Sequence, residues 1–312
     1  MNVAFYGKGG SGKTTVSVLF AAWLDSKGYT VGLLDADVNS QTADVAGAVV
    51  DADKVLSRPE NEVAIWKHLA GSNPFVDETE FLNTTPPGKG SGFWTMASDN
   101  YITKHYGQAF GNRSHVLTVG SYTADMLGVA CHHGTQTVAE NMISHAKFMN
   151  KEILVVDSVA GNDAFGTTLY LNDVLVFAVK PEREGIAVLN RFLELAKHAD
   201  VLDRVLVIAN QITSDVQRTF LKREIAAERL IGILEVNDGL IERRLEDRPL
   251  GTESIRDQEA DVFQKIIDRA STQPAHYEAL LEIHKKVAGE SWVAGSYRTG
   301  LQDQIDPDYH PS

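Results

Sequence analysis

The sequence predicts an α/β fold, a doubly wound domain around a mostly parallel sheet. Three observations carry that expectation. Short β-branched runs alternate with helical stretches, the runs are close to continuously apolar, and a glycine-rich loop joins the first run to the first helix. Asn2–Tyr6 reads as the first strand and Lys13–Lys27 as the helix after the loop. Thr30–Leu34 follows as the second strand. From about Ala43 to Ser121 the alternation lapses. This stretch holds the turn-rich Asn83-Thr84-Thr85-Pro86-Pro87-Gly88 and the aromatics Trp66, Phe93 and Trp94, which read as packing residues. It is expected to be an elaboration between the second and third sheet strands, not a separate domain. A helix over Thr135–Phe148 then leads into a strand at Ile153–Val156. Strands at Val174–Val179 and Val205–Ala209 alternate with helices at Gly185–His198 and Asp215–Ala227, and one long helix is expected over Gln258–Lys286. A single domain thus covers residues 1–288. Gly289–Ser312 mixes Gly, Asp and Pro without periodicity and is expected to be a mobile or partner-draped tail.

Composition excludes several function classes. The chain has 312 residues, 43% of them hydrophobic, which is ample for a core and argues against disorder. No run of roughly 18 apolar residues exists, so no membrane span is expected, and the first strand runs straight into the glycine loop without room for a signal peptide. Net charge is −13, from 29 basic and 42 acidic residues, which argues against broad binding to nucleic acid or anionic lipid. One cysteine cannot build an intrachain disulfide framework, so a reducing cytoplasm is the expected location.

Gly7-Lys8-Gly9-Gly10-Ser11-Gly12-Lys13-Thr14 matches the full G-x-x-x-x-G-K-[ST] phosphate loop, between an apolar strand and a helix as the motif requires. Its glycines let backbone N–H groups approach phosphate oxygens, and the following helix directs its positive end at them. Lys13 reaches the β- and γ-phosphates and the Thr14 hydroxyl serves Mg²⁺. Asp35 and Asp37 stand at the end of the second strand, where such sheets place ligand groups. They are expected to point to opposite sides, with Asp37 the better placed to orient the attacking water. Asp157 ends an apolar strand and suits Mg²⁺, directly or through water, and Gly161 offers a backbone N–H to the γ-phosphate. Asn210 ends another buried strand. Its amide matches an adenine edge, and a turn-forming asparagine is the alternative.

Lys8 is the deviation that an ordinary phosphate loop does not need. With it, Gly7 through Thr15 resembles the deviant Walker A loop of the MinD/ParA/nitrogenase-iron-protein superfamily of P-loop ATPases. The resemblance implies that Lys8 crosses a dimer interface to the partner's nucleotide, that ATP holds two subunits face to face, and that hydrolysis lets them part. It also implies that Asp35 to Asp37, Asp157 to Gly161 and Asn210 serve as the two switches and the base-recognition element. Glu235 sits where relatives often have proline near the base, which argues against purine contact by that loop.

Gly120 to Gly134, with Asp99 to Tyr106 and Asp157 to Gly161, is similar to the carbon monoxide dehydrogenase nickel-maturation ATPases (CooC type). That group carries Cys-x-Cys in this glycine-rich segment, and the pairs of two subunits meet on one metal ion. Here Cys131 matches, while His133 stands at the second position. Two subunits would then present two thiolates and two imidazoles, a set suited to Zn²⁺ or Ni²⁺. The alternative is a buried cysteine beside helix-start histidines. The resemblance implies an ATP-dependent, dimerising metallocentre maturation factor with a client metalloenzyme, and a slow, partner-stimulated ATPase. A positioning or partition ATPase of the MinD/ParA kind is the second reading. A membrane-positioning relative would be expected to end in a basic amphipathic helix, whereas Ile305-Asp306-Pro307-Asp308-Tyr309 carries acids and proline. An electron-donating iron protein is disfavoured, because two copies supply two cysteines where a four-iron cluster takes four. An amidotransferase-type ATPase acting on a small carboxylate is a lesser possibility.

Overall fold

The computed structural model describes residues 1–121, 132–161, 168–270, 277–296 and 300–310. Its strands are β1 (Asn2–Gly7), β2 (Thr30–Asp35), β3 (Gln108–Phe110), β4 (Ser114–Thr118), β5 (Glu152–Asp157), β6 (Val174–Val179), β7 (Val205–Ile212) and β8 (Leu230–Glu235). They form one sheet in the order β3-β4-β2-β5-β1-β6-β7-β8, parallel throughout except for the antiparallel pair β3–β4 at one edge. The helices, in chain order, are α1 (Lys13–Ser26), α2 (Thr42–Ala46), α3 (Pro59–Ala70), α4 (Tyr101–Tyr106), α5 (His132–Ser144), α6 (Thr168–Leu171), α7 (Arg183–His198), α8 (Asp215–Glu224), α9 (Asp238–Leu245), α10 (Asp257–Ala270), α11 (Tyr277–Ala288) and α12 (Ser291–Ser296).

Strand alternation divides the core into two layers. Val3 and Phe5 of β1 face one side, where α1 and α10 close the layer through Phe20, Trp23 and Phe263. Ala4 and Tyr6 face the other, against α3, α5 and α7, with the Tyr6 and Phe177 rings each 5.0 Å from Phe192. Both faces of the central strands are therefore covered, which is why β1, β5 and β6 are buried end to end and read as unbroken apolar runs.

Two expectations need correction, and one strand was not anticipated. The stretch from Ala43 to Ser121 is more than an insertion, because it returns β3 and β4 to the sheet beside β2. Neither carries an unbroken apolar run, since β3 is three residues long and β4 opens with Ser114-His115. Their turn is held by Asp25 of α1, whose carboxylate accepts from Asn112 N at 2.8 Å, Arg113 N at 3.1 Å and Ser114 Oγ at 2.7 Å. Burial opposes that charge, but these donors outweigh it and keep Asp25 below the usual carboxylate range. β8 was also missed, because Gly232 interrupts it; there a Cβ would collide with Val262 of α10.

Of the helix expected over Gln258–Lys286, the described residues form α10 and α11, and residues 271–276 lie outside them. The tail packs back on the elaborated segment instead of standing free. Leu301 and Val293 join Leu82 in a small apolar cluster, Gln304 Nε2 donates to Glu80 O at 2.7 Å, and Lys89 N donates to Asp306 Oδ2 at 2.8 Å. Its partners lie some two hundred residues away, so no local pattern announces the contact. Among the described residues no helix is long and apolar enough to cross a membrane.

Candidate active site

Parallel strands put their C-terminal ends at one edge, and the loops leaving β1, β2 and β5 converge there. β1 passes into the glycine loop, which turns tightly with Ser11 N donating to Lys8 O at 3.0 Å. Gly12 precedes α1 at φ +85°, a left-handed conformation, and a Cβ there would collide with the Asn210 amide. α1 starts without a side-chain cap, so its first N–H groups face the loop, as a phosphate cradle requires.

Lys13 leaves that turn buried. Its Nζ lies 2.7 Å from Asp157 Oδ1 and 3.0 Å from Asp37 Oδ2. Burial of the ammonium works against its charge, but Asp157 and Asp37 outweigh it and raise its pKa above the ordinary lysine value. For Asp37, burial again opposes ionisation, while Lys13 and the Asn39 donors at 3.0 and 2.9 Å hold its carboxyl below the usual range. Thr14 Oγ1 donates to Asp157 Oδ2 at 2.7 Å. A threonine hydroxyl and a carboxylate converging at that distance are hard oxygen donors that fit Mg²⁺.

The expected separation of Asp35 from Asp37 does not hold. Asp35 stands in register with Asp157 on the neighbouring strand, so both side chains leave the sheet on the same side. Positions two apart along a strand share a face, so Asp37, just beyond the end of β2, turns to the same side and reaches Lys13. Burial, then the charge of Asp157, pushes the Asp35 carboxyl up to about 7.

The sequence reading missed Thr42, fully buried at the start of α2. Its N–H donates to Asp35 Oδ2 at 3.2 Å and its hydroxyl to Asp157 Oδ2 at 2.8 Å. A small hydroxyl residue a few positions beyond the two acids was the available signal.

β7 runs two residues past Asn210, whose side chain meets the loop, its Nδ2 donating to Ser11 O at 2.9 Å and its Oδ1 accepting from Gln211 N at 3.0 Å. The amide thus braces the loop with one donor and one acceptor already engaged. Beside it opens a cleft of about 390 Å³, walled by Thr15, Val16 and Leu19 of α1, Leu234 to Asn237 at and just beyond the end of β8, and Leu240, Ile241 and Arg244 of α9. Its apolar walls and position next to the loop suit a planar base. Glu235 lines this cleft too, paired with Arg218.

Gly161 follows β5 at φ +70°, with nothing within 4 Å of where its Cβ would lie. Lys8 points outward, 42% exposed and 4.0 Å from Glu182. Cys131 lies outside the described residues, as does the side chain of His133, whose backbone is in the first turn of α5. Among the described residues no group of three or more His, Cys, Asp or Glu is arranged to hold a metal ion.

The chain is similar to known proteins in sequence and fold. The chain is 22% identical over 222 residues to the carbon monoxide dehydrogenase accessory protein CooC of Rhodospirillum rubrum, covering 71% of this chain and 78% of that one. It is 21% identical over 277 residues to an uncharacterised ATP-binding protein of Methanocaldococcus jannaschii, covering 87% of this chain and all of the relative. Among solved structures, a ParA family ATPase from Chlorobium tepidum superposes with a TM-score of 0.55 at 14% identity, over 87% of this chain and 98% of the other. The sequence model of the CobQ/CobB/MinD/ParA nucleotide binding domain matches residues 3–250, and the chain belongs to that family.

Proposed function

We propose that this P-loop ATPase dimerises on Mg-ATP, hydrolyses it slowly, and uses the cycle to deliver a metal ion to a client metalloenzyme. Lys13 and the loop N–H groups bind the triphosphate, and Lys8 of the opposite subunit adds a cation as charge builds on the transferring phosphoryl group. Thr14 and Asp157 are the residues that would hold Mg²⁺, which shields the β- and γ-phosphate charge when bound. Asp37 orients the attacking water. Because Lys13 already bridges Asp37 and Asp157, an arriving phosphate competes with both carboxylates for one ammonium. The γ-phosphate therefore acts directly on the acid loop.

One observation carries the metal-delivery part. α5, which begins beside Cys131 and His133 in the sequence, is tied to the acid loop: Gln136 Nε2 donates to Ala36 O at 3.0 Å, between Asp35 and Asp37. A change at the acids would thereby reach α5, which Cys131 precedes in the sequence. Similarity to CooC supports the same reading. The fold itself does not separate it from a positioning or partition ATPase, since a ParA family ATPase has the same architecture.

Elemental analysis of the ATP-bound protein, loaded in turn with Zn²⁺ and Ni²⁺, tests the proposal. Close to one ion per two chains is expected, lost in Cys131→Ala. Unchanged stoichiometry in that variant would reject metal binding at Cys131 and favour the positioning reading.

A further inference from the structure

We infer that Thr42 is a positioning residue for the hydrolytic site, acting through Asp157. The inference rests on the reading that this site binds Mg-ATP. Asp157 is fully buried and receives three side-chain donors, Lys13 on Oδ1 and the hydroxyls of Thr14 and Thr42 on Oδ2. Two of these belong to the phosphate loop and its helix. Thr42 alone comes from the far side of the acid loop, and it is itself fully buried.

That origin gives it a distinct task. Lys13 and Thr14 are also the groups that phosphate and cation engage, so neither can fix Asp157 while the nucleotide occupies them. Thr42 has no such second duty. Its N–H is held by Asp35 and its hydroxyl by Asp157, so one residue spans the paired ends of β2 and β5. It fixes the plane of the Asp157 carboxylate, and it closes the loop that presents Asp37.

α2 is anchored from behind, without using the site's acids or the phosphate loop. Leu250 N donates to Val45 O at 2.9 Å, Pro249 packs where a Cβ on Gly47 would stand, and Arg244 Nη2 meets Asp44 Oδ2 at 2.9 Å. The position of the Thr42 hydroxyl is therefore set by the scaffold. Arg244 also walls the apolar cleft, so the anchor of α2 reaches the side of the site where the base is expected.

The test compares Thr42→Val, which keeps the shape and removes the hydroxyl, with Thr42→Ser, which restores it, and Thr42→Ala, which cannot overpack. Two measurements are made on each full-length chain: phosphate release at varied ATP, and the Mg²⁺ concentration at half-maximal binding of a fluorescent ATP analogue. For Val and Ala, kcat should fall about tenfold, the effect of losing a hydrogen bond to a charged group, with KM for ATP changed less than about threefold. The Mg²⁺ midpoint should rise several-fold in both. Thr42→Ser should stay near wild type in both readouts. Wild-type kcat and Mg²⁺ midpoint in folded Thr42→Val or Thr42→Ala would overturn the inference, as would failure of the serine to rescue. A wild-type chain that binds Mg-nucleotide without turning it over would defeat the reading of hydrolysis. The Mg²⁺ midpoints would still decide whether Thr42 positions Asp157.

Discussion

At the scale of single residues, the acid cluster sets the chemistry. Lys13 balances Asp37 and Asp157, while Asp35, buried next to Asp157 and with no cation within bonding distance among the described residues, is pushed up to about 7. The sign of its effect on stability follows. The folded chain keeps the Asp35 proton that the unfolded chain loses near the ordinary carboxylate value, so stability from this group is present at low pH and declines as pH rises toward about 7. Asp35→Asn keeps an acceptor for Thr42 N–H and removes the charge. Thermal melts should show it similar to wild type near pH ~4 and more stable at pH ~8, by an order of 1–4 kcal/mol from ~1.4 kcal/mol per pKa unit; equal melting at the higher pH would refute this. Lys13→Ala should abolish ATP turnover and lower nucleotide affinity at least tenfold by the loss of a charge-assisted contact; undiminished phosphate release would refute the site assignment. The loop and both acids were legible because phosphate chemistry constrains residue type and spacing together. Thr42 was not, because its importance lies in a contact with Asp157, 115 residues away.

Among the elements, legibility followed burial. β1, β2, β5, β6 and β7 are sealed on both faces and announce themselves as apolar runs. β3 and β4 lie at an edge, and their identity depends on Asp25 holding the turn between them. β8, at the other edge, has Gly232 in its middle because α10 comes too close for a side chain. Gly232→Ala must therefore push Val262 away and should cost about 1–3 kcal/mol, the usual effect of overpacking. Urea unfolding checks it, and a midpoint unchanged from wild type would show that the two elements separate freely. Since β8 leads into the residues lining the apolar cleft, the same variant should also weaken nucleotide binding.

Over the whole molecule, the glycine loop and the acids of the candidate site gather at the C-terminal edge of one sheet, while the described C-terminal segment fastens to the elaborated region. That fastening includes His284, fully buried, with Nδ1 2.9 Å from Thr84 Oγ1 and Nε2 2.8 Å from Leu301 O. Neither the segment nor its partners shows a pattern by itself, so this part of the architecture was unreadable from sequence. Lys8 belongs to a scale larger than one chain. Half-exposed, with Glu182 4.0 Å away, it is held by an ion pair of the kind that contributes ~0–1 kcal/mol, so moving it to another charge costs little. The dimer reading requires that movement. Sedimentation velocity with a non-hydrolysable ATP analogue tests it most directly. Wild type should shift from one chain to two, while Lys8→Ala should bind the analogue and remain a single chain. Equal dimerisation of both proteins, or a wild type that stays single with nucleotide bound, would contradict the account.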